Sequence, residues 1–123
     1  MHNIVIRLLE KALQKQGYRR EGISITLSPS KQIAYVKTAG SKFNVLLSER
    51  PEQEILNSTG FVLTEDAIDT VRACRVRYIL FHSSTMGIVT IAKAIPGSNT
   101  HELRDEFGCR VWVVIPIGGY VRI

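Results

Sequence analysis

Residues 82–87 read HSSTMG, and they bring together the residue types that nucleophilic hydrolysis requires. A serine hydroxyl becomes a nucleophile when a histidine takes its proton and a third group orients that histidine. Side chains two residues apart on a strand share a face, so His82 and Ser84 are the pair that could meet. No GxSxG segment surrounds them to provide an oxyanion site. The catalytic residues therefore stay unassigned, with His82 and Ser84 as candidates, and the stretch is more typical of a polar hairpin loop between buried strands.

Motifs for metals and nucleotide cofactors are missing from the sequence. Histidines occur at His2, His82 and His101, and their spacing matches no metal site. The glycine-rich segments GxxxxGK[ST] and GxGxxG, which cradle phosphates, are also absent. Neither Cys74 nor Cys109 belongs to a CxxC pair, and we expect both to be reduced, mostly buried thiols. The sequence therefore predicts no metal and no cofactor.

The whole chain carries a net charge of +5, and its basic side chains are concentrated in the first part. Residues 1–48 hold eight basic and two acidic side chains, whereas residues 49–71 hold one basic and six acidic ones. A positive surface suits a polyanion such as DNA or RNA, because each neutralised phosphate releases a counterion. The alternative is an ordinary solvated helix surface, which uses the same residue types. We predict a small basic nucleic-acid-binding domain without catalysis, whose phosphate contacts come from an N-terminal helix and its exit: Arg7, Lys11, Lys15, Arg19 and Arg20.

A second hypothesis is a divergent nuclease or another small hydrolase. The early element order, α-β-β-β-α, resembles that of the restriction-endonuclease-like core, whose members hold a divalent metal with an Asp and a Glu-x-Lys on neighbouring strands. The resemblance covers less than half of the chain. Residues 22–48 contain no Asp and no Glu, and the nearest match is Tyr35-Val36-Lys37, with tyrosine in the position of the metal ligand. A nuclease of this type would have to gather its carboxylates from elsewhere in the chain.

A third hypothesis is an interaction or assembly subunit without small-molecule chemistry. The sequence ends in VRI, residues 121–123, a short stretch that could form a strand at the edge of a sheet. An exposed edge strand can pair with the same strand of a second copy, so the sequence leaves a homo-oligomer open.

The cations of the first segment need a helix to bring them onto one side. Apolar residues recur at helical spacing from about Ile4 to Gln16, and Gly17 lies where a helix commonly ends in a left-handed residue. Positions 7, 11 and 15 are four residues apart, so they share the side opposite the apolar one. The predicted apolar side consists of Val5, Leu8, Leu9, Ala12 and Leu13.

Three stretches after this helix alternate between apolar and polar residues, as half-buried strands do. They cover residues 23–28, 32–38 and 42–49, and turn residues fill the short links between them. Short links require antiparallel neighbours, so the sequence predicts a three-stranded meander. In the second strand Tyr35 shares a face with Ile33, which favours a buried position for the tyrosine.

Helices and apolar strands make up the rest of the chain. Residues 51–60 and 64–74 predict helices, and residues 61–63 predict a short strand between them. Residues 76–81 and 88–95 are nearly continuous apolar runs, typical of strands that are covered on both faces.

The last third also contains a helix signal. Asn99, with Glu102 three residues later, resembles a capping box and predicts a helix that ends before Gly108. A strand over residues 109–115 is expected to follow. The predicted fold class is α+β: a single domain over residues 1–123 with a mixed, mostly antiparallel sheet.

Targeting and membrane-spanning segments are not recognisable in the sequence. The first residues lack the basic region of a secretory signal, and charge returns at Arg7. No apolar stretch approaches the roughly 20 residues that cross a bilayer. We therefore expect a cytoplasmic protein without a membrane partner.

Overall fold

Most strands of the protein join one large sheet, and a smaller sheet packs against it. The structure is a computed structural model and describes residues 3–83, 85–94 and 99–123. None of the helices in this described part has the length and apolar character that crossing a membrane requires. In chain order the elements are α1 Ile4–Lys15, a 3₁₀ turn Arg20–Gly22, β1 Ser24–Leu27, β2 Ile33–Lys37, β3 Lys42–Glu49, α2 Glu52–Asn57, β4 Phe61–Leu63, α3 Glu65–Ala73, β5 Val76–Ser83, β6 Ile88–Lys93, β7 Thr100–Arg104, β8 Arg110–Val114 and β9 Val121–Arg122.

Within the described residues the large sheet has six strands in the order β1-β2-β3-β5-β6-β9, and only β3 and β5 of these pair in parallel. Short links join β1 to β2 and β2 to β3, so these neighbours are antiparallel. The crossing from β3 to β5 contains α2, β4 and α3, and its length allows the parallel return. The predicted α+β class with a mixed, mostly antiparallel sheet is confirmed. The sequence did not predict that β4, β8 and β7 form a separate antiparallel sheet.

Both faces of the large sheet are covered around β5 and β6, which explains the continuous apolar runs of these strands. On one face the apolar side of α1, with Leu9 and Leu13, forms a core with Leu80 of β5 and its neighbours. On the other face α2, α3 and the small sheet form a second core. There the rings of Phe61 and Phe81 stack with their centroids 3.9 Å apart. The large sheet therefore separates two apolar cores.

Helix α1 forms as predicted, because the signals at its two ends agree with its apolar spacing. The Asn3 side chain accepts a hydrogen bond from the backbone N–H of Val5 at 2.8 Å and caps the first turn. After the helix Gly17 adopts a φ of +101°, which a glycine accepts without steric cost. The residues that face the sheet and are fully buried are Leu8, Leu9, Ala12 and Leu13.

Tyr35 lies on the sheet surface, so the prediction that it belongs to the core is wrong. It is 48% exposed, although Ile33 on the same face of β2 is buried. The reason is the extent of the layer that covers this face. The cross-strand pair of Ile33 and Leu46 belongs to the core, whereas the next pair on that face, Tyr35 and Asn44, lies beyond it. Alternation identifies the face on which a side chain lies but not where the cover of that face ends.

The segment from residue 99 to residue 108 forms part of a hairpin and not the predicted helix. Strand β7 pairs with β8 along its whole length. In the turn between them the Asp105 carboxylate accepts hydrogen bonds from the backbone N–H groups of Phe107 and Cys109, at 2.9 and 2.8 Å. This turn and the pairing with β8 outweigh the capping-box pattern of Asn99 and Glu102, which is a local signal only.

The two cysteines are free thiols, but they are less buried than predicted. Cys74 follows α3 and is half-buried, and Cys109 precedes β8 and is exposed. Both lie at the ends of elements, where neighbouring chain covers a side chain less completely than in the middle of a strand.

Replacing Leu13 by alanine should lower the free energy of unfolding by about 2 to 5 kcal/mol, because the leucine is fully buried and its loss leaves a cavity. Gln14 is exposed, and Gln14→Ala should change this free energy by less than about 0.5 kcal/mol. Urea unfolding followed by circular dichroism measures both variants. Equal unfolding midpoints would show that α1 does not cover the sheet as described.

Candidate nucleic-acid interface

The outer surface of α1 carries three of the five cations that were predicted to bind phosphate. The leucines of α1 face the sheet, so Arg7, Lys11 and Lys15, spaced four residues apart, point into solvent and are exposed. At a rise of about 1.5 Å per residue they extend over about 12 Å of the helix. The structure therefore brings these three side chains together in one row, the α1 stripe.

Arg19 and Arg20 follow the helix and are also exposed. Tyr18 fixes the chain just before them: its hydroxyl lies 2.9 Å from that of Tyr78, and its ring centroid lies 5.3 Å from that of Phe43. Burial, together with the hydrogen bond shared with Tyr18, raises the pKa of Tyr78 to about 12, so Tyr78 stays uncharged at neutral pH. The two arginines are thus attached to the core through Tyr18 while their charges remain in solvent.

Carboxylates do not neutralise these five cations in the part of the chain that the structure describes. The basic side chains that form ion pairs there are Arg50, Arg110 and Arg122, all outside the N-terminal segment. Glu10 and Glu21 are near the cations in sequence, but neither forms an ion pair with them. The positive charge of this surface is therefore available to a phosphate.

A second basic surface lies on the opposite face of the large sheet, and the sequence reasoning missed it. Tyr35 of β2 is opposite Asn44 of β3, and two residues further along Lys37 is opposite Lys42. These four side chains and Arg75 line an open groove of about 490 Å³, the Tyr35 groove. The sequence carried one signal for it, because two lysines that flank a four-residue link must face each other across a hairpin.

His82 lies in a strand and is buried. It is opposite Val89 of β6 and only 9% exposed. Burial lowers its pKa from the usual 6.5, and the Glu49 carboxylate opposes this shift in part. Among the described residues its Nδ1 atom has no hydrogen-bond partner. Ser84, the other catalytic candidate, lies outside the described residues, so the structure describes only one member of that pair.

The loop between β5 and β6 is shorter than the HSSTMG stretch. Strand β5 extends through Ser83, which is opposite Ile88 and buried. A methyl group at Gly87 would lie 4.0 Å from Cδ1 of Ile4 and 3.7 Å from Cβ of Ile123. Gly87 therefore lies close to the first turn of α1 and the end of β9, and His82 is part of the sheet.

The nuclease-like element order is present as α1, β1, β2, β3 and α2. Tyr35 and Lys37 line the Tyr35 groove, and no carboxylate from residues 3–83, 85–94 or 99–123 lines it with them. The same described ranges contain no group of three or more His, Cys, Asp or Glu side chains that could hold a metal ion. The described part of the Tyr35 groove offers a ligand positive charge, an aromatic ring, and amide and hydroxyl groups.

Comparison with known proteins adds no family to this description. No protein-family model, no curated protein and no solved structure matches the chain. The function is therefore inferred from the positions, exposure and charges of this chain's own residues.

Folding stability should fall between about pH 7.5 and about pH 5.5 in part because of His82. The pKa of His82 is lowered in the folded chain, so as the pH drops through 6.5 the unfolded chain binds a proton that the folded chain does not. The contribution is present above pH 6.5 and is lost below it, by at most about 1.4 kcal/mol over this range. Urea unfolding at the two pH values should show a smaller difference for His82→Gln than for the unaltered protein.

His101 provides the control for this measurement, because it lies exposed on β7. His101→Gln should leave the pH difference of the unaltered protein in place. If His82→Gln retains that full difference as well, His82 is not the group responsible.

Proposed function

We propose that this protein binds nucleic acid and holds its phosphate backbone with the α1 stripe and with Arg19 and Arg20. The observation that supports this most directly is that all five cations are exposed and that none has a carboxylate partner among the described residues. A helix presents its cations at fixed spacing, which suits the regular spacing of backbone phosphates.

Electrostatic attraction of this kind has a measurable signature. Each phosphate that a lysine or arginine neutralises releases a condensed counterion, so the association constant falls as salt rises. Five such contacts correspond to a slope of log K against log salt of about −4.5 for a duplex and about −3.5 for a single strand. The same contacts carry no base specificity, because phosphates are the same at every position of the sequence.

Fluorescence anisotropy with a dye-labelled duplex, titrated between about 50 and 200 mM salt, tests the proposal. Lys11→Gln/Lys15→Gln removes two charges from the α1 stripe and should weaken binding and reduce the salt slope by about 1.8. Addition of Mg²⁺ to the same samples, with the probe then analysed for cleavage, tests the nuclease hypothesis.

The matched control removes two other exposed lysines, as Lys31→Gln/Lys93→Gln, and leaves the net charge equal to that of the stripe variant. It should keep the salt slope of the unaltered protein. Identical affinities and slopes for the two double variants would mean that only net charge matters, and would overturn the assignment to α1.

A further inference from the structure

An exposed aromatic ring lies at the centre of the Tyr35 groove. Tyr35 is 48% exposed, and its cross-strand neighbours are Thr26 of β1 and Asn44 of β3. Both neighbours are polar and smaller than tyrosine, so they leave the ring open. The Tyr35 hydroxyl forms no hydrogen bond with any described residue. A half-exposed, unbonded tyrosine ring between small polar side chains is a surface on which a flat group can stack.

Like charges face each other beside this ring. Lys37 and Lys42 are directly opposite in the antiparallel ladder, a position in which two cations repel and destabilise the pair of strands. Both are exposed, and neither forms an ion pair among the described residues. An anion bound between them would remove this repulsion.

Arg75 extends the positive charge to the other side of the groove. Its backbone is left-handed, with a φ of +49°, a conformation that favours glycine over residues with a side chain. The residue before it is held in place, because the Asn44 amide donates a hydrogen bond of 2.6 Å to the carbonyl oxygen of Cys74. Asn44 therefore ties the end of α3 to β3 at the groove, and Arg75 follows directly at its rim.

An irregularity in strand pairing puts another cation at this end of the large sheet, on the α1 face. The parallel register moves from Asn44 opposite Val76 to Val45 opposite Tyr78, so Arg77 has no partner in β3. Such an irregularity changes the direction of the side chain whose residue has no partner in the neighbouring strand. The guanidinium of Arg77 lies 4.5 Å from the centroid of the Phe43 ring, which packs with Tyr18 and Tyr78 on the α1 face of the sheet.

The Tyr35 groove and the cations after α1 meet at the same end of the large sheet. A methyl group at Gly22, in the 3₁₀ turn that contains Arg20, would lie only 3.2 Å from the backbone nitrogen of Ala39. Ala39 lies in the link between β2 and β3, whose two ends are Lys37 and Lys42. A hollow of about 660 Å³ lies between this link and residues 17–22. Positive side chains thus border this end of the sheet on both of its faces.

We propose that the Tyr35 groove binds unpaired nucleotides of a single-stranded nucleic acid, with a base stacked on Tyr35 and phosphates against Lys37, Lys42 and Arg75. This inference rests on the proposed function, because the partner is again a nucleic acid. The residues that bind it and the face of the sheet on which they lie are different. A strand that leaves Arg19 and Arg20 reaches the groove by passing over the link between β2 and β3.

The occupant is single-stranded because an aromatic ring can stack only on a base that has lost its own neighbour. In a duplex both faces of each base are already stacked, and a flat sheet surface meets only the phosphates. A single strand supplies free base faces, and every base offers one, so binding of this type tolerates many sequences. The volume of about 490 Å³ lies in the range of small-ligand sites, so individual nucleotides fit.

The test compares a dye-labelled oligothymidine with a duplex, using the full chain and fluorescence anisotropy. Tyr35→Ala should weaken binding of the single strand about ten-fold or more and leave binding of the duplex unchanged. Tyr35→Phe keeps the ring and should retain the affinity of the unaltered protein. Phe107→Ala is the matched control, because Phe107 is 82% exposed but lies in the turn between β7 and β8, on the other sheet.

A charge variant supports the same test. Lys37→Gln/Lys42→Gln should reduce the salt slope for the single strand by about 1.4, which is the contribution of two neutralised phosphates. Because the substitution removes a pair of facing cations, it should not lower the unfolding midpoint, and circular dichroism checks this.

The possible outcomes separate this inference from the proposed function. Single-strand binding that is lost in Tyr35→Ala but kept in Phe107→Ala and Tyr35→Phe supports the groove. Unchanged single-strand affinity in Tyr35→Ala, with duplex binding still weakened by Lys11→Gln/Lys15→Gln, overturns the groove and leaves the α1 stripe standing. Equal losses for single strand and duplex in a folded Tyr35→Ala would also overturn it. If the unaltered protein binds neither probe at about 50 mM salt, both proposals fail.

Discussion

The parallel pairing of β3 with β5 is the interaction on which the rest of the structure depends. Parallel neighbours need a long crossing, and this crossing supplies α2, β4 and α3 as cover for one face of the sheet. The cover extends over β5 and the adjoining part of β3, where Leu46 is buried, and ends before the pair of Tyr35 and Asn44. The opposite face receives α1. The same pairing therefore explains a double-sided core in the middle of the sheet and an open, basic groove at its end.

Local sequence signals were sufficient where the structure is determined locally. The spacing of apolar residues, Asn3 and Gly17 define α1, and short links define the meander, so the helix, its exposed cations and the first three strands could be predicted. Tyr35 could not be placed, because its exposure depends on where α3 ends after a crossing of many residues. The segment that begins at Asn99 was misjudged for the same reason, since pairing with β8 decides its conformation. The groove depends on where the cover of the sheet ends and on which residues pair across strands. The alternation within one strand reveals neither.

Burial separates the groove from His82, which by residue type looked more reactive. His82 is covered by neighbouring strands, and burial favours its neutral form, whereas Lys37, Lys42 and Arg75 of the groove are exposed and form no ion pair among the described residues. A buried imidazole with a free Nδ1 atom within the described residues is a cost to the fold, and it offers no surface to a ligand in solution. The exposed, basic groove is therefore the better candidate for a binding surface, and the buried histidine is not.

Basic and acidic side chains are separated along the sequence. They are also separated in the folded chain, because the later carboxylates pair with later cations. Glu54 lies 2.7 Å from Arg50 and Glu52 lies 3.2 Å from Arg122, so acidic side chains of α2 neutralise cations outside the first 48 residues. In α3, Glu65 and Asp66 stand in the first turn and Arg72 in the last, which agrees with the helix dipole and leaves the basic end beside the Tyr35 groove. The N-terminal cations receive no such partner in the described chain. We therefore expect a polyanion to approach α1 and the open end of the sheet, where the cations lack a carboxylate partner among the described residues.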